Sequence, residues 1–310
     1  MDTQKRRNLF LAHGFLPIDA GSYPLYRQYA ENGRLQEKSA VIISVWSGSN
    51  QGLYRIIRGV LCSVFFFDHR DPYFVLHGEE GADALEPVID ELYGLAEEAA
   101  FSRFRIECID ESVLSGYTLI DGYAKRVEYL EKDNEYVYQT KELLNLDGRH
   151  NYKKRSFYRK FSQMADLSIV PMTRDNIGLS GEVEKAWCSS HDCAYCRSFY
   201  GCEKEALNRM AGIFDEKRHG GLVAFKGDKP AGYIIGENMN SGLAFLYFGK
   251  GTIPQLYAYL IYVCFNRYLQ ADRINLSDDL GMEGLRTFKR ELSRYEQWHR
   301  YSISYTRKSA

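Results

Sequence analysis

Apolar and polar positions along the chain switch between two periods. Residues 22–31 have helical spacing, with Ser22 as N-cap and Pro24 in the first turn. Short runs rich in β-branched and aromatic residues follow at 40–46, 53–57, 60–67 and 73–77. Gly or Asp turns separate them, and each reads as a strand. Leu85, Val88, Ile89, Leu92, Leu95, Ala96 and Ala99 then mark one face of an amphipathic helix, with Glu86, Asp90, Glu91, Glu97 and Glu98 on the other. Residues 104–109 return to a strand. The composition changes at 149–160, RHNYKKRSFYRK, which reads as a basic helix. Beyond it the pattern predicts a strand at 166–172, helices at 182–190 and 203–215, and a hairpin of 222–226 and 231–237 around Gly227-Asp228-Lys229-Pro230. A third strand at 243–248, a helix at 253–269 with Thr252 as N-cap, a strand at 273–276, a helix at 282–292 and a last strand at 298–305 complete the chain. Both halves thus run hairpin, third strand, long helix, next strand. Long helices between strands imply crossover connections, so each half is expected to hold a mixed α/β sheet. The expected boundaries are an N-terminal unit at 1–148, a basic connecting helix at 149–165 and a C-terminal unit at 166–310.

Composition narrows the class. The chain has 310 residues, 45% hydrophobic and 26% charged, which excludes wholesale disorder and leaves room for two cores. Lys and Arg number 40 against 41 Asp and Glu, so the surface as a whole is no polycation, although local basic patches remain. Tyrosine is abundant, at 24 residues, and suits half-wet clefts as well as cores. The apolar run at 9–12 is broken by His13, and 256–265 is far short of the ~20 residues of a membrane span. The expectation is a soluble cytoplasmic protein with reduced thiols. Cys188, Cys193, Cys196 and Cys202, with His191 among them, contain a single C-x-x-C. That is weaker than a four-ligand zinc pattern, and semi-buried structural cysteines are the expectation. No metal and no cofactor is expected.

Three stretches can carry chemistry. Tyr247-Phe248-Gly249-Lys250-Gly251-Thr252 joins a strand to a helix. Gly249 and Gly251 there can expose backbone N–H groups to a phosphate, or simply make a turn. In 275–289, Asn275, Asp278 and Asp279 lead into a helix carrying Arg286 and Lys289 on one face. One aspartate can cap that helix. Asp279 can also hold an ammonium while Arg286 and Lys289 bind an anion. In the basic segment, Lys153, Lys154 and Arg155 can meet phosphates, with Tyr152 beside them to stack, or the segment is a solvated linker.

Tyr136-Val137-Tyr138 with Leu143, Gly148 and Tyr152-Lys153-Lys154-Arg155 form one recognisable pattern. Trp187-Cys188 with Cys193 and Glu203 form a second. Asn275 with Asp279-Leu280-Gly281, Gly284-Leu285-Arg286 and Lys289 form the third and most specific. Together they resemble the soluble bacterial proteins related to the C-terminal domain of phosphatidylglycerol lysyltransferase. The resemblance implies two tandem GNAT-like acyltransferase units and transfer of an aminoacyl group from its tRNA ester, so aminoacyl-tRNA is the implied partner. On it, Tyr247 and Asn275 hold the ester carbonyl or deliver a proton, and Asp279 takes the aminoacyl ammonium. Arg286 with Lys289 takes an anionic group, and Lys153, Lys154 and Arg155 meet RNA phosphates or help fix the cleft expected between the units. The lipid-modifying members carry a membrane portion before this domain that this sequence lacks, so the acceptor is open. Two other readings stand beside it. One is a coenzyme A-dependent N-acyltransferase using Gly249 and Gly251, against which Leu246 counts. The other is a non-catalytic binding module on the same tandem fold.

Overall fold

The strand pairings divide the chain. The computed structural model of the protein describes residues 1–50, 52–67, 70–78, 82–190, 203–239 and 242–308. One compact unit comprises Met1–Asn134 and His299–Ala310, the other Glu135–Trp298. The first contains strands β1 (Leu16–Pro17), β2 (Leu53–Ile57), β3 (Val60–Phe65), β4 (Tyr73–His77), β5 (Phe104–Asp110), β6 (Tyr123–Tyr129) and β14 (Arg300–Arg307). They are ordered β1-β2-β3-β4-β5-β14-β6, with β4 and β5 parallel. Helix α4 (Ala82–Glu98) makes the crossover from β4 to β5, as a parallel pair requires. Its stripe of Leu85, Val88, Ile89, Leu92 and Leu95 forms one core with Phe10 of α1 (Thr3–Ala12), Val64 and Ile106.

Helices α2 (Tyr23–Ala30) and α3 (Ala40–Asn50) lie between β1 and β2. The strand expected at 40–46 is α3. Val41, Ile43, Ser44, Val45 and Ser47 are buried and the half-exposed positions are the apolar Ile42 and Trp46, so no polar stripe marks a 3.6-residue period over 40–46. The helix start was nonetheless present as Ser39, whose Oγ accepts the Ile42 amide at 3.2 Å. Ser22 sits where expected ahead of α2, but its side chain closes a capping box with Asp19 on the preceding turn.

The second unit repeats the plan. Its strands are β7 (Glu135–Gln139), β8 (Leu167–Pro171), β9 (His219–Lys226), β10 (Lys229–Asn238), β11 (Leu243–Gly251), β12 (Arg273–Asn275) and β13 (Tyr295–Trp298). The order is β13-β7-β12-β11-β10-β9-β8, with β11 and β12 parallel. Two short helices, α5 (Leu114–Thr118) in the first unit and α6 (Thr140–Leu144) in the second, follow β5 and β7. Helix α10 (Leu256–Arg267) is the crossover and buries Leu256, Leu260, Ile261, Cys264 and Phe265. It shares a core with Ile234, Ala244, Leu246, Ile274, Tyr136 and Tyr138 on one sheet face, and with Tyr158 and Phe161 of α7 (Tyr152–Ser162). Val137, Leu243, Phe245 and Trp298 pack together on the other face. There α8 (Ser180–Ser189) reaches the sheet through Glu184, which accepts the Tyr233 phenol at 2.6 Å. Helices α9 (Glu203–Ile213) and α11 (Glu283–Leu292) complete the elements used below.

The units exchange strands, so the boundaries fall elsewhere than expected. β7 precedes the basic helix but pairs with β12 and β13, which moves the division from 148 to Asn134 and puts the whole 149–165 segment inside the second unit. The single strand expected at 298–305 is two. Trp298 pairs with Glu135 in the second sheet, and Arg300 pairs with Asp110 in the first. No helix among the described residues is long and apolar enough to cross a membrane.

A β-bulge between Ile235 and Gly236 sets the register of β10 against β11. A Cβ on Gly236 would lie 2.5 Å from the Phe245 carbonyl oxygen, which backbone cannot concede cheaply. Gly236→Ala is therefore expected to lower stability by roughly 1–3 kcal/mol in urea unfolding. Gly94→Ala, in α4 with nothing within 4 Å of its new methyl, should raise it by about 0.5–1 kcal/mol. Equal effects at the two glycines would sink the packing argument.

Candidate active site

The loop from β12 to α11 is built by its own polar side chains. Asn275 Oδ1 accepts the Ser277 amide at 2.8 Å, Asp278 Oδ1 the Leu280 amide at 3.0 Å, and Asp279 Oδ1 the Gly281 amide at 2.9 Å. Three successive Asx turns explain why Asn and Asp recur here. They hold Ser277 (φ 59°) and Leu280 (φ 54°) in the left-handed region. Lys289 reaches back from α11 into this loop. Its Nζ donates to the carbonyls of Leu276 at 2.5 Å, Ser277 at 3.1 Å and Asp278, and its side chain is buried. An ammonium has three donors, and three carbonyls take them. Lys289, expected on a ligand anion, is thus a fastener of the loop.

Asp279 lies beside it. Arg286 approaches in a fork, Nε to Oδ2 at 2.8 Å and Nη2 to Oδ1 at 3.2 Å, and the Tyr136 phenol donates to Oδ2 at 2.9 Å. Burial alone would raise the Asp279 carboxyl. The bonds from Arg286, Tyr136 and the Gly281 amide outweigh it and hold the group below the usual carboxylate range. The same pairing raises Arg286, and burial with the Asp279 bond raises Tyr136. Asp279 does not cap α11, whose N-cap position is Met282. Its charge is already matched by a guanidinium, so an incoming ammonium would have to displace Arg286.

Asn275 points to the other sheet face. Its Nδ2 donates to Glu135 Oε2 at 2.5 Å, and both residues are fully buried. Asn275 pairs with Phe245, the last register pair between β11 and β12, while β11 continues beside β10 to Gly251. Tyr247 stands two residues beyond Phe245 and so on the same face. The half-buried Tyr247 phenol donates to Glu237 Oε2 at 2.9 Å, and His219 Nε2 lies 4.0 Å from that oxygen. The strands thus bring Tyr247 and Asn275 to the place where the parallel pair parts.

Gly249 and Gly251 lie within β11, paired with Ile234 and Gly232. A Cβ on Gly249 would stand 2.3 Å from the Tyr257 ring, and one on Gly251 3.0 Å from the Tyr257 amide. Their smallness admits α10. The helix starts at Leu256, after Gln255 at φ 67°, so Thr252 is not its cap, and both its N–H and its hydroxyl donate to the Ala231 carbonyl. Lys250 between the glycines is half-buried against Glu184 (2.8 Å) and Glu203, with the Trp187 ring 4.7 Å from its ammonium. Burial would lower Lys250, but the two carboxylates raise it, whereas burial beside Glu184 raises Glu203.

The basic helix α7 divides by face. Lys154 donates to the Leu292 carbonyl and is lowered by burial, and Arg155 donates to the carbonyls of Leu146 and Gly148 (2.7 Å). These two fasten α7 to the end of α11 and to the segment just before α7. Tyr152, Lys153, Ser156, Phe157, Arg159 and Lys160 are not buried, and Arg149, Tyr152, Lys153 and Arg155 line an open recess of about 720 Å³. Cys188 is half-buried, with Sγ 3.9 Å from Glu184. His191, Cys193, Cys196 and Cys202 lie outside the described residues, and among those described no group of three His, Cys, Asp or Glu is arranged for a metal.

A family model described as phosphatidylglycerol lysyltransferase, C-terminal, matches residues 75–296. The chain belongs to this family. Every cluster above lies within the matched span. A search of curated proteins finds no match. Among solved structures, a conserved protein of unknown function from Bacteroides thetaiotaomicron VPI-5482 superposes with TM-score 0.82 at 20% identity, covering 94% of this chain and 99% of that one. The L-PGS of Bacillus licheniformis gives 0.66 at 13%, covering 95% and 94%. The C-terminal domain of a putative lysylphosphatidylglycerol synthetase from Agrobacterium fabrum gives 0.65 at 11%, covering 92% of each. These likenesses show the fold, two tandem GNAT-like units with mixed sheets.

Sequence reasoning missed Glu135, Glu184, Glu237 and His219, all buried on or against the second sheet. Glu237 had a signal, because it closes the apolar strand run Ala-Gly-Tyr-Ile-Ile-Gly at an inward position. For the loop, Asp279→Asn should destabilise the protein at pH 7 by roughly 1–3 kcal/mol, since Arg286 loses a charged acceptor. The folded-state carboxyl is depressed, so the gap to wild type is full above pH ~4 and closes as pH falls through that lowered value. Urea melts from pH 7 to pH 2 check it. A gap that persists at the lowest pH would contradict the ion pair.

Proposed function

We propose that this chain is an aminoacyltransferase that takes its aminoacyl group from a charged tRNA. The family's name describes lysyl transfer, and a tandem GNAT-like scaffold suits acyl chemistry. The observation that carries the choice of donor is the solvent-facing side of α7. Lys153, Arg159 and Lys160 stand in solvent among the rings of Tyr152 and Phe157. Cations that meet phosphates, interleaved with rings that stack on bases, make a surface for the unpaired end of an RNA. Lys154 and Arg155 of the run are held to carbonyls, so binding falls to Lys153 and its exposed neighbours, Arg149 among them.

The ester of an aminoacyl-tRNA is already activated, so the protein has to position it and manage one proton. The reading puts the carbonyl where β11 and β12 part, beside Tyr247 and Asn275. The acceptor is a hydroxyl or amine nucleophile, and a cytoplasmic location follows from the donor. A coenzyme A donor is disfavoured because Gly249 and Gly251 are strand residues pressed on Tyr257 and Leu256 rather than a phosphate-cradling loop.

Filter binding with a pool of charged tRNA at low salt tests this. The logarithm of the affinity should fall linearly with the logarithm of the salt concentration. The double charge reversal Lys153→Glu with Lys160→Glu should flatten the slope by about 2, roughly one for each phosphate no longer neutralised. Tyr152→Ala should weaken binding by about 1–3 kcal/mol with the slope unchanged. Absence of binding to any charged tRNA would end the reading, and a thermal shift with acyl-coenzyme A species would replace it with the second donor.

A further inference from the structure

Three residues from adjacent strands form a line on the second sheet that the sequence did not suggest. His219 begins β9, Glu237 lies opposite it on β10, and Tyr247 follows on β11. The His219 ring is fixed on two sides. Its Nδ1 accepts the Asp215 amide at 2.9 Å, and the Phe214 ring stacks on it at 5.5 Å. A ring that accepts at Nδ1 carries its neutral-form proton on Nε2. That proton faces Glu237 Oε2 at 4.0 Å, an electrostatic contact longer than a hydrogen bond. Oε2 in turn accepts the Tyr247 phenol at 2.9 Å. His219 and Glu237 are buried, whereas Tyr247 is half-buried at the parting of β11 and β12.

We propose that Glu237 is the terminal proton acceptor of the transfer reaction, acting through Tyr247, and that His219 is a positioning residue which aims the Glu237 carboxylate. This rests on the reading that the aminoacyl ester lies beside Tyr247. The acceptor nucleophile bonds to the ester carbonyl carbon, and the carbonyl π pair moves onto oxygen. As that bond forms, the nucleophile's proton passes to the Tyr247 oxygen and the phenol's own proton passes to Glu237 Oε2. When the tetrahedral adduct collapses, the carbonyl reforms and the bond to the ribose oxygen breaks, its pair leaving with that oxygen. The ribose oxygen takes a proton from Tyr247, and Glu237 returns its proton to the phenol. The net change moves the aminoacyl group one way and one proton the other, and the line ends as it began.

Single-turnover rates with charged tRNA and hydroxylamine as acceptor, with tRNA affinity measured separately, test the proposal. Glu237→Gln and Tyr247→Phe should each slow the step about 10²–10⁴-fold with affinity unchanged. The double variant should be no slower than the worse single one, because both act in one relay. Wild-type rates in Glu237→Gln, or multiplied effects in the double variant, would overturn the relay. Ring ¹⁵N spectra of His219 provide a readout that folding defects and inactivity do not mimic. An Nε2–H tautomer is expected, with Nε2 shifting in Glu237→Gln and also in Tyr247→Phe, although the spectra should be taken on variants whose melting matches wild type. An Nδ1–H tautomer, or shifts blind to Tyr247→Phe, would overturn the coupling. A wild type that binds charged tRNA yet transfers nothing overturns the relay. One that binds none overturns the donor reading, and the ring spectra then judge the line by themselves.

Discussion

A buried ammonium must be surrounded by oxygen, and much of the second unit is arranged around one. Lys289 lies in the core side of α11 with its Nζ among three carbonyls. Leaving such a charge unpaired would cost several kcal/mol. Three consecutive carbonyls can converge on one point only if the chain curls tightly, and left-handed Ser277 lies in the middle of the three. The curl ends β12 at Asn275, so the parallel pairing with β11 stops there. It also brings Asp279 under Tyr136 and Arg286. The same helix is gripped from β7, where the Tyr138 phenol donates to the Lys289 carbonyl at 2.8 Å. Because β7 comes from far upstream in sequence, these bonds tie the loop and α11 to a distant part of the chain.

The two faces of this sheet then differ in kind. The α10 face is a conventional apolar core, and its charges, Lys289 and the Asp279–Arg286 pair, are consumed in holding a loop. The opposite face carries buried carboxylates at Glu135, Glu184 and Glu237, each joined to an amide, a phenol or an ammonium. A polar, pre-aligned face beside a break in strand pairing is the kind of place where an acyl group can be held with little reorganisation. An apolar core could not serve, because it offers nothing to a developing charge.

Elements with a wet face or a strong turn signal were legible in the sequence. The stripe of α4 follows from periodicity because its other face is acidic, and the hairpin of β9 and β10, buried on both faces over most of its length, follows from the turn residues Gly227-Asp228-Lys229-Pro230. α3 reads as a strand because Val41, Ile43 and Val45 alternate along a β-branched run whose intervening Ser44 is buried as well. The exchange of β7 and β14 left no local signature at all. A strand carries no mark of which sheet it joins, and the break at His299 inside 298–305 is set by pairing with Glu135 on one side and Asp110 on the other. In the site, the loop residues Asn275, Asp279, Arg286 and Lys289 were found as a group because turn chemistry concentrates Asn, Asp and Gly in a short stretch. Their roles were not readable, since role depends on partners distant in sequence, such as Tyr136 for Asp279 and Glu135 for Asn275.

Partners also decide which charges are available for a ligand. A group whose hydrogen bonds are all made within the protein gains little from a ligand, since each new contact replaces an old one of similar strength. By that measure Lys289 is structural, the Asp279–Arg286 fork is nearly so, and Lys154 and Arg155 are partly committed, to one carbonyl and to two. Lys153, Tyr152 and Phe157 are exposed, and the Tyr247 phenol is half-buried at a break in the sheet with a carboxylate behind it. The basic run at 149–160 therefore overstates the charge it offers, and the acidic count understates what is buried as apparatus. A net charge of −1 conceals both facts. What it averages is a set of carboxylates turned inward on one sheet face and a set of cations turned outward on one helix, and it is this segregation, rather than the total, on which the proposed handling of a polyanion and a proton rests.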